Sequence, residues 1–404
     1  MRIFFRRALF LLCTVLSALL LWTNLAVHSA TRVGSDGERA ELTAQMNYLE
    51  GCVHNGLGVE MQQLFPEGSA FTHALYGLAW CGLAQRLDAG DTLRIHARVE
   101  ARWALSQLDR PEEQGRFPVS AEPKFGVFYC GWRNLLLGSI ITLGQADSAE
   151  LIAFDRNSAA LEEAFAASPS PYLESYVGMA WPADATVAMA TLALHQQLRG
   201  GAHQKVIERW VEQVRERLDA NGSMPHAWDP YHDRSLTSAR GSSQALINTF
   251  LPAIDEALAQ EQFGRFQKAF FMERFGVPAV SEYPRGSFGW GDVDPGPLIL
   301  GAGPAATIVG SAACRMNGDV LHAQEFAASV QGFGFVTGGD RKRYLLGALP
   351  IADLFIAWGR SMPSSVATET PGFKRFHLWS VLALVVMWAP WWFVLRKPIN
   401  GTSI

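Results

Sequence analysis

Two long runs without a charged residue stand at the ends of this chain, Ala8 to Val27 and Leu378 to Leu395. Each is about the ~20 residues that a helix needs to cross a hydrocarbon core. Arg2, Arg6 and Arg7 precede the first run, while Arg396 and Lys397 follow the second. That bias puts both termini in the cytoplasm and the middle of the chain outside it. Lys374 and Arg375, on the other flank of the second run, oppose this assignment. The first run ends in Val27-His28-Ser29-Ala30, which also suits a secretory signal with a small-residue cleavage site. It is, however, longer than the ~7–15 residues of a signal's apolar region. The middle is exported on either reading. Pro390 lies within the second run, as transmembrane helices tolerate, and Trp379, Trp388, Trp391 and Trp392 suit membrane interfaces.

Four regions follow. Residues 1–30 form an anchor or signal, 35–361 one extracytoplasmic domain on the periplasmic side, 362–373 a Pro/Ser/Thr-rich linker, and 374–404 a second transmembrane helix with a short tail. The net charge is −4 and the basic residues are scattered, which argues against a nucleic-acid partner. The cysteines, Cys13, Cys52, Cys81, Cys130 and Cys314, form no CxxC or Cys/His group with zinc spacing. Buried free thiols and no metal are therefore expected. The uncharged stretch Pro297 to Cys314 contains Gly301, Gly303, Pro304 and Gly310, and reads as protein interior instead of a third span.

Helical periodicity dominates the middle, with segments near 38–51, 70–87, 91–108, 127–144, 147–166, 182–198, 202–219, 240–256, 258–275, 303–316, 319–332 and 350–360. They differ in kind. Segment 202–219 puts Val206, Trp210, Val214 and Leu218 on one stripe among charges, as a half-exposed helix does. Segment 182–198 has an uncharged run after Asp184, as a helix buried on all sides does. Buried and amphipathic helices alternating in about six pairs imply an all-α (α/α)6 toroid flanked by the two transmembrane helices. An open solenoid is the rival, but no sequence repeat supports it. The loops Asn221 to Arg240 and Val280 to Pro297 are long enough to be functional.

Candidate chemistry sits in four places. Asp292 and Asp294 lie two apart beside Tyr283 and Trp290 in a glycine-rich loop, where like charges could raise one pKa and separate acid from base. The same aspartates could equally cap a turn. Asp184 follows Trp181 at the start of an apolar helix, favoured there by the helix dipole with or without a catalytic role. A third group holds His226, Trp228, Asp229, Tyr231, His232, Asp233 and Arg240; a fourth, on one helix and its exit, holds Tyr48, Glu50 and His54.

Met46-Asn47-Tyr48-Leu49-Glu50, Tyr76-Gly77-Leu78-Ala79, Gly131 followed by Asn134-Leu135, and Asp292-x-Asp294-x-Gly296 resemble the linalool dehydratase/isomerase family across roughly residues 41–344. The resemblance implies an (α/α)6 barrel that adds or removes water at a terpenoid alcohol without a cofactor, using acid/base side chains in a hydrophobic pocket. Glu50 stands where that family carries a catalytic aspartate. Trp132 stands where it carries a histidine, Asp184 near the position of its active-site cysteines, and Arg240 near that of a tyrosine.

The leading expectation is a hydro-lyase or isomerase for a lipophilic, terpenoid-like substrate, with Glu50, Asp184, Asp292 and Asp294 as acids and bases. Tyr48, His54, Tyr76, Trp181, Trp228, Tyr231, Arg240, Tyr283 and Trp290 would bind substrate. A glycoside hydrolase or polysaccharide lyase with aromatic platforms is the alternative, as is a non-catalytic envelope-binding module. The expected partners are the membrane and a small-molecule or envelope-derived substrate. A reporter fused after Ile404 checks the two spans: cytoplasmic activity is expected, and exported activity refutes the C-terminal anchor.

Overall fold

A computed structural model describes residues 2–200, 202–292 and 295–395 and is mostly helical. In chain order the helices are α1 (Arg2–Ala26), α2 (Asp36–His54), α3 (Leu57–Leu64), α4 (Gly68–Ala84), α5 (Thr92–Leu108), α6 (Pro111–Gln114), α7 (Gly126–Thr142), α8 (Ser148–Ala167), α9 (Pro182–Arg199), α10 (Gln204–Glu216), α11 (Gly241–Phe250), α12 (Glu256–Phe270), α13 (Pro304–Met316), α14 (Val320–Phe333), α15 (Pro350–Ser361) and α16 (Lys374–Leu395). Every segment expected from periodicity contains one of them; the short α3 and α6 are additional. Two β-hairpins escape the helical pattern: β1 (Ala227–Asp229) with β2 (Arg234–Thr237), and β3 (Phe271–Arg274) with β4 (Val277–Val280). The expected helix 258–275 stops at Phe270 because Phe275 and Gly276 take φ of 50° and 83°, the geometry of a two-residue hairpin turn.

Helices α4, α7, α9, α11, α13 and α15 bury most of their residues. Amphipathic α10, in contrast, buries only Ile207, Trp210 and Val214. The buried helices pack in the order α4, α7, α9, α11, α13, α15, and α15 packs on α4 in turn. Helices α2, α5, α8, α12 and α14 lie against them from outside. Small residues set the spacing: a methyl on Gly131 would lie 3.1 Å from Ala188 Cβ, and one on Gly138 2.7 Å from Leu194. Because Gly131 and Ala188 lie near the starts of α7 and α9, and Gly138 and Leu194 lie further along, the two helices run parallel. Gly77 against Leu136 and Gly359 against Ala312 mark the same close approach between α4 and α7 and between α15 and α13.

Aromatic side chains fill the space that these helices enclose. Trp132 meets Phe250 at 5.9 Å and Trp358 at 6.0 Å between ring centroids, and Phe71 meets Trp132 at 5.4 Å and Phe355 at 5.5 Å. These tilted and edge-on contacts are the arrangements that aromatic quadrupoles favour. They fill the interior between these helices.

Capping separates the two sets of helices. Asp91, Asp147, Asp255 and Asp319 each accept a backbone N–H at the start of α5, α8, α12 and α14, and Ser35 does so for α2. No residue preceding a buried helix caps it in this way; those helices begin with Gly or Pro. Their first N–H groups face the loops at one end of the domain.

The terminal helices pair antiparallel. Asn24 donates to Ser380 at 2.9 Å, Trp388 donates to Ser17 at 2.9 Å, and Phe10 meets Trp388 edge-on. Large apolar side chains along both helices are exposed, among them Phe5, Leu12, Leu382 and Val386. Among the described residues, Phe4–Ala26 is the one helix long and apolar enough to cross a membrane by length and composition. Arg396 and Lys397, which follow the second run, lie outside the described residues. The five cysteines form no disulfide; Cys13, Cys81 and Cys314 are buried, Cys52 and Cys130 half-buried.

One ion pair fastens the start of α2 to α13. Glu38 and Arg315 are both buried, and Arg86 lies 3.7 Å from the same carboxylate. Burial alone would push the Glu38 carboxyl up, but Arg315 and the Gly34 N–H more than offset it and hold it below the usual value. Its stabilisation is therefore complete above the unfolded carboxylate range and fades as pH falls through the lowered folded value. Glu38→Gln is expected to cost about 3–5 kcal/mol by leaving Arg315 uncompensated. Denaturant unfolding checks this, and the mutant should lose part of the parent's acid sensitivity.

Candidate functional site

The loops that enter the buried helices carry most of the titratable groups singled out from the sequence. Arg240, immediately before α11, pairs with Asp292, and its guanidinium lies 5.8 Å from the Tyr283 ring centroid. Tyr283 OH in turn accepts the Gly291 N–H at 3.2 Å, which ties the glycine-rich loop to the same point. His226 bonds Ser243 in the first turn of α11. Burial, with Arg240 beside it, pushes the His226 imidazole down to about 4. It is thus a neutral donor and acceptor near pH 7.

Glu282 lies fully buried between the starts of α11 and α13. The Ser242 N–H donates to it at 3.1 Å and the Ser242 hydroxyl at 2.9 Å. It supplies from a distant loop the cap that α11 lacks locally. Burial pushes its carboxyl up to about 7, with the Ser242 donors and Arg240 pulling the other way. Asp353, in the first turn of α15, behaves alike: burial pushes it to about 7 against hydrogen bonds from Gln45 and the Tyr344 N–H. At α9, Ser175 donates to Asp184 at 2.6 Å, and Trp181 stands edge-on to Tyr176 at 6.1 Å.

The sequence-selected acids thus do not share one centre. Asp184 and Asp292 sit at the starts of the buried helices. Glu50 is elsewhere, in the groove between α2 and α5, where its carboxylate lies 2.9 Å from His96 Nε2. His54 and Tyr76 belong to that second group: both reach Glu100, His54 Nε2 at 2.8 Å and the Tyr76 hydroxyl as donor at 2.6 Å. Tyr48 OH reaches the Gly347 carbonyl at 3.5 Å, beneath the Arg343 guanidinium. Trp228 is a core residue, 5 % exposed and packed on Tyr172, so it offers no platform. Tyr231 and Trp290 are exposed, the latter edge-on to Phe288. Asp294 lies outside the described residues. Trp132, where the resembled family has a histidine, is part of the aromatic core.

Sequence reasoning did not place Glu282, Asp353, His96 or Glu100 in a site. Only the last two left a signal: His96 and Glu100 repeat, in reverse order, the four-residue spacing of Glu50 and His54.

The end of the domain that carries Asp184 and Asp292 is also its apolar end. The long loops into α7, α9, α11, α13 and α15 expose Val119, Val177, Leu236, Trp290 and Leu346. Ile299 and Leu300 are exposed too, so the uncharged stretch from Pro297 is interior only from the start of α13 onward. At the opposite end, the short turns 85–91, 143–147, 251–255 and 317–319 expose no large apolar side chain. Helices α1 and α16 join the domain at the loop-rich end. Gln331 near the close of α14 donates to Ser29, Phe333 packs on Phe376, and Phe275 at the β3–β4 turn meets Trp379.

No protein-family model matches the chain, and no curated protein matches it significantly. Among solved structures, the crystal structure of D-mannose isomerase is similar with a TM-score of 0.45 and 9% sequence identity, covering 92% of this chain and 97% of that one. A similarity this loose bears on neither the substrate nor the reaction.

The buried acids give the domain a pH signature. Glu282 and Asp353 have raised folded values, so their contribution is full below the unfolded values of 4.5 and 3.8 and is lost as pH rises through about 7. Thermal unfolding should therefore move to lower temperature between about pH 5 and pH 8. Glu282→Gln should flatten that slope; an unchanged slope would reject the assignment.

Proposed function

We propose that the chain is a membrane-anchored enzyme that isomerises or dehydrates a lipophilic, terpenoid-like alcohol by acid/base catalysis, at the mouth of an (α/α)6 toroid. The cyclic packing of α4, α7, α9, α11, α13 and α15 supports the toroid. The observation that carries the functional reading is the coincidence, at one end of the domain, of Asp184, Asp292 and Arg240 with exposed apolar loops and the roots of α1 and α16. A substrate dissolved in the bilayer would meet the site without first crossing water.

In this reading α1 is retained as an anchor, supported by its contacts to α16, and α16 is the second span with the domain on the periplasmic side. Asp184 and Asp292 act as acid and base. One protonates the departing hydroxyl and the other removes a proton from the adjacent carbon, the transfers that positioned carboxyl groups accelerate. Arg240 and Tyr283 position Asp292, and Ser175 positions Asp184. Phe71 and Phe355, half-buried at the top of the aromatic core, would face the cationic character that develops as the C–O bond breaks. Glu50, engaged with His96, takes no part. Asp294 remains a candidate beside Asp292. No comparable observation favours the carbohydrate reading, which loses Trp228 as a platform.

Full-length protein in nanodiscs, supplied with isoprenoid alcohols and followed by gas chromatography, is expected to yield isomerised or dehydrated products. Asp184→Asn and Asp292→Asn should each slow turnover by about 10²–10⁴-fold, the usual contribution of a general acid or base. Full activity in both variants, or turnover of sugars and not of these alcohols, would overturn the proposal.

A further inference from the structure

The groove between α2 and α5 holds a group of side chains that the acid/base reading leaves unused. Glu50 and His54 are four residues apart on α2, and His96 and Glu100 are four residues apart on α5. Helix neighbours at that spacing share a face. Glu50 meets His96 and His54 meets Glu100, so the two helices run parallel there and each carboxylate faces an imidazole. Ligand atoms of Glu50, His96 and Glu100 all lie within 4.8 Å of one another, and His54 Nε2 is 2.8 Å from the Glu100 carboxylate. Both imidazoles thus turn Nε2 toward the two carboxylates.

Two clasps between other neighbouring outer helices use arginine. Arg102 joins α5 to Glu150 of α8, and Arg215 joins α10 to Glu261 of α12. Arginine holds its charge at every physiological pH and cannot ligate a metal. At the α2–α5 groove that role falls to two histidines, which are good metal ligands. The surroundings also fit a metal centre. Tyr76 donates to Glu100 at 2.6 Å, an outer-sphere bond that fixes a ligating carboxylate, and Trp103 lies tilted against the His54 ring with centroids 4.0 Å apart. His96 and Glu50 are 42% and 33% exposed, which leaves a path for an ion.

We propose that Glu50, His54, His96 and Glu100 bind one divalent transition-metal ion of the zinc class, clamping α2 to α5 over the outward face of α4. Two imidazole nitrogens and two carboxylate oxygens suit zinc, and two negative charges offset those of the ion. The site is separate from the mouth of the toroid, and its failure would leave the acid/base reading untouched.

Isothermal titration of metal-stripped, full-length protein in detergent with zinc alone is expected to show one site per chain, with a higher unfolding temperature in zinc than in magnesium. His96→Gln, at an exposed position where folding tolerates change, should weaken zinc binding at least about tenfold, the scale set by loss of even an outer-sphere partner. Tyr76→Phe should weaken it by a smaller factor. Arg102→Gln, which breaks a neighbouring clasp without touching the ligands, should bind zinc as the parent does. Absence of zinc binding to the parent, or equal binding by parent and His96→Gln, would overturn the proposal.

Discussion

Backbone polarity at the ends of buried helices is the constraint on which the rest of the structure depends. Helices packed on all sides can satisfy every interior hydrogen bond, but their first N–H groups need partners from elsewhere. The outer helices meet that need locally, with Asp or Ser one residue before the first turn. The buried ones draw on distant loops, as when Glu282 caps α11 from across the chain. The same loops therefore have to be long, and they have to be polar where they touch helix ends. Carboxylates held there interact with the positive ends of helix dipoles. A cluster of acids at the loop-rich end is thus a structural requirement before it is a catalytic opportunity.

Much of the fold was legible in the sequence, because burial writes itself into charge. The contrast between uncharged 182–198 and charge-flanked 202–219 distinguishes α9 from α10 without any coordinate. The β3–β4 hairpin was not legible, since Phe270-Phe271-Met272 continues a helical apolar pattern and only the turn at Phe275 and Gly276 breaks it. The site was half legible. Arg240 and Asp292 were each singled out, yet their pairing across 52 residues depends on how two loops fold together. Glu50 and His54 were visible as a helical pair, and His96 and Glu100 share their spacing; that the two pairs face each other was not legible, because the register between two outer helices is set by what both pack against. Trp228 misled for the opposite reason: an aromatic residue in a long loop looks exposed until a strand buries it.

Polarity and apolarity at the loop-rich end have separate origins. Helix ends account for Asp184, Glu282 and Asp353, while nothing in the packing of the helices calls for exposed Val119, Trp290 or Leu346. Small exposed apolar residues are ordinary on protein surfaces, but their concentration on one end, beside the roots of two apolar helices, is not. The short turns at the far end, polar and tightly capped, make the asymmetry plain.

The pairing of Asn24 with Ser380 joins positions 356 residues apart. During synthesis α1 emerges first and α16 last, so the contact between them is the final one that can form. Until then the intervening domain is made while α1 lacks that partner, and the polar Asn24 side chain waits for its mate. The hairpin of terminal helices is therefore a late latch, whose closing reports that everything between has been made.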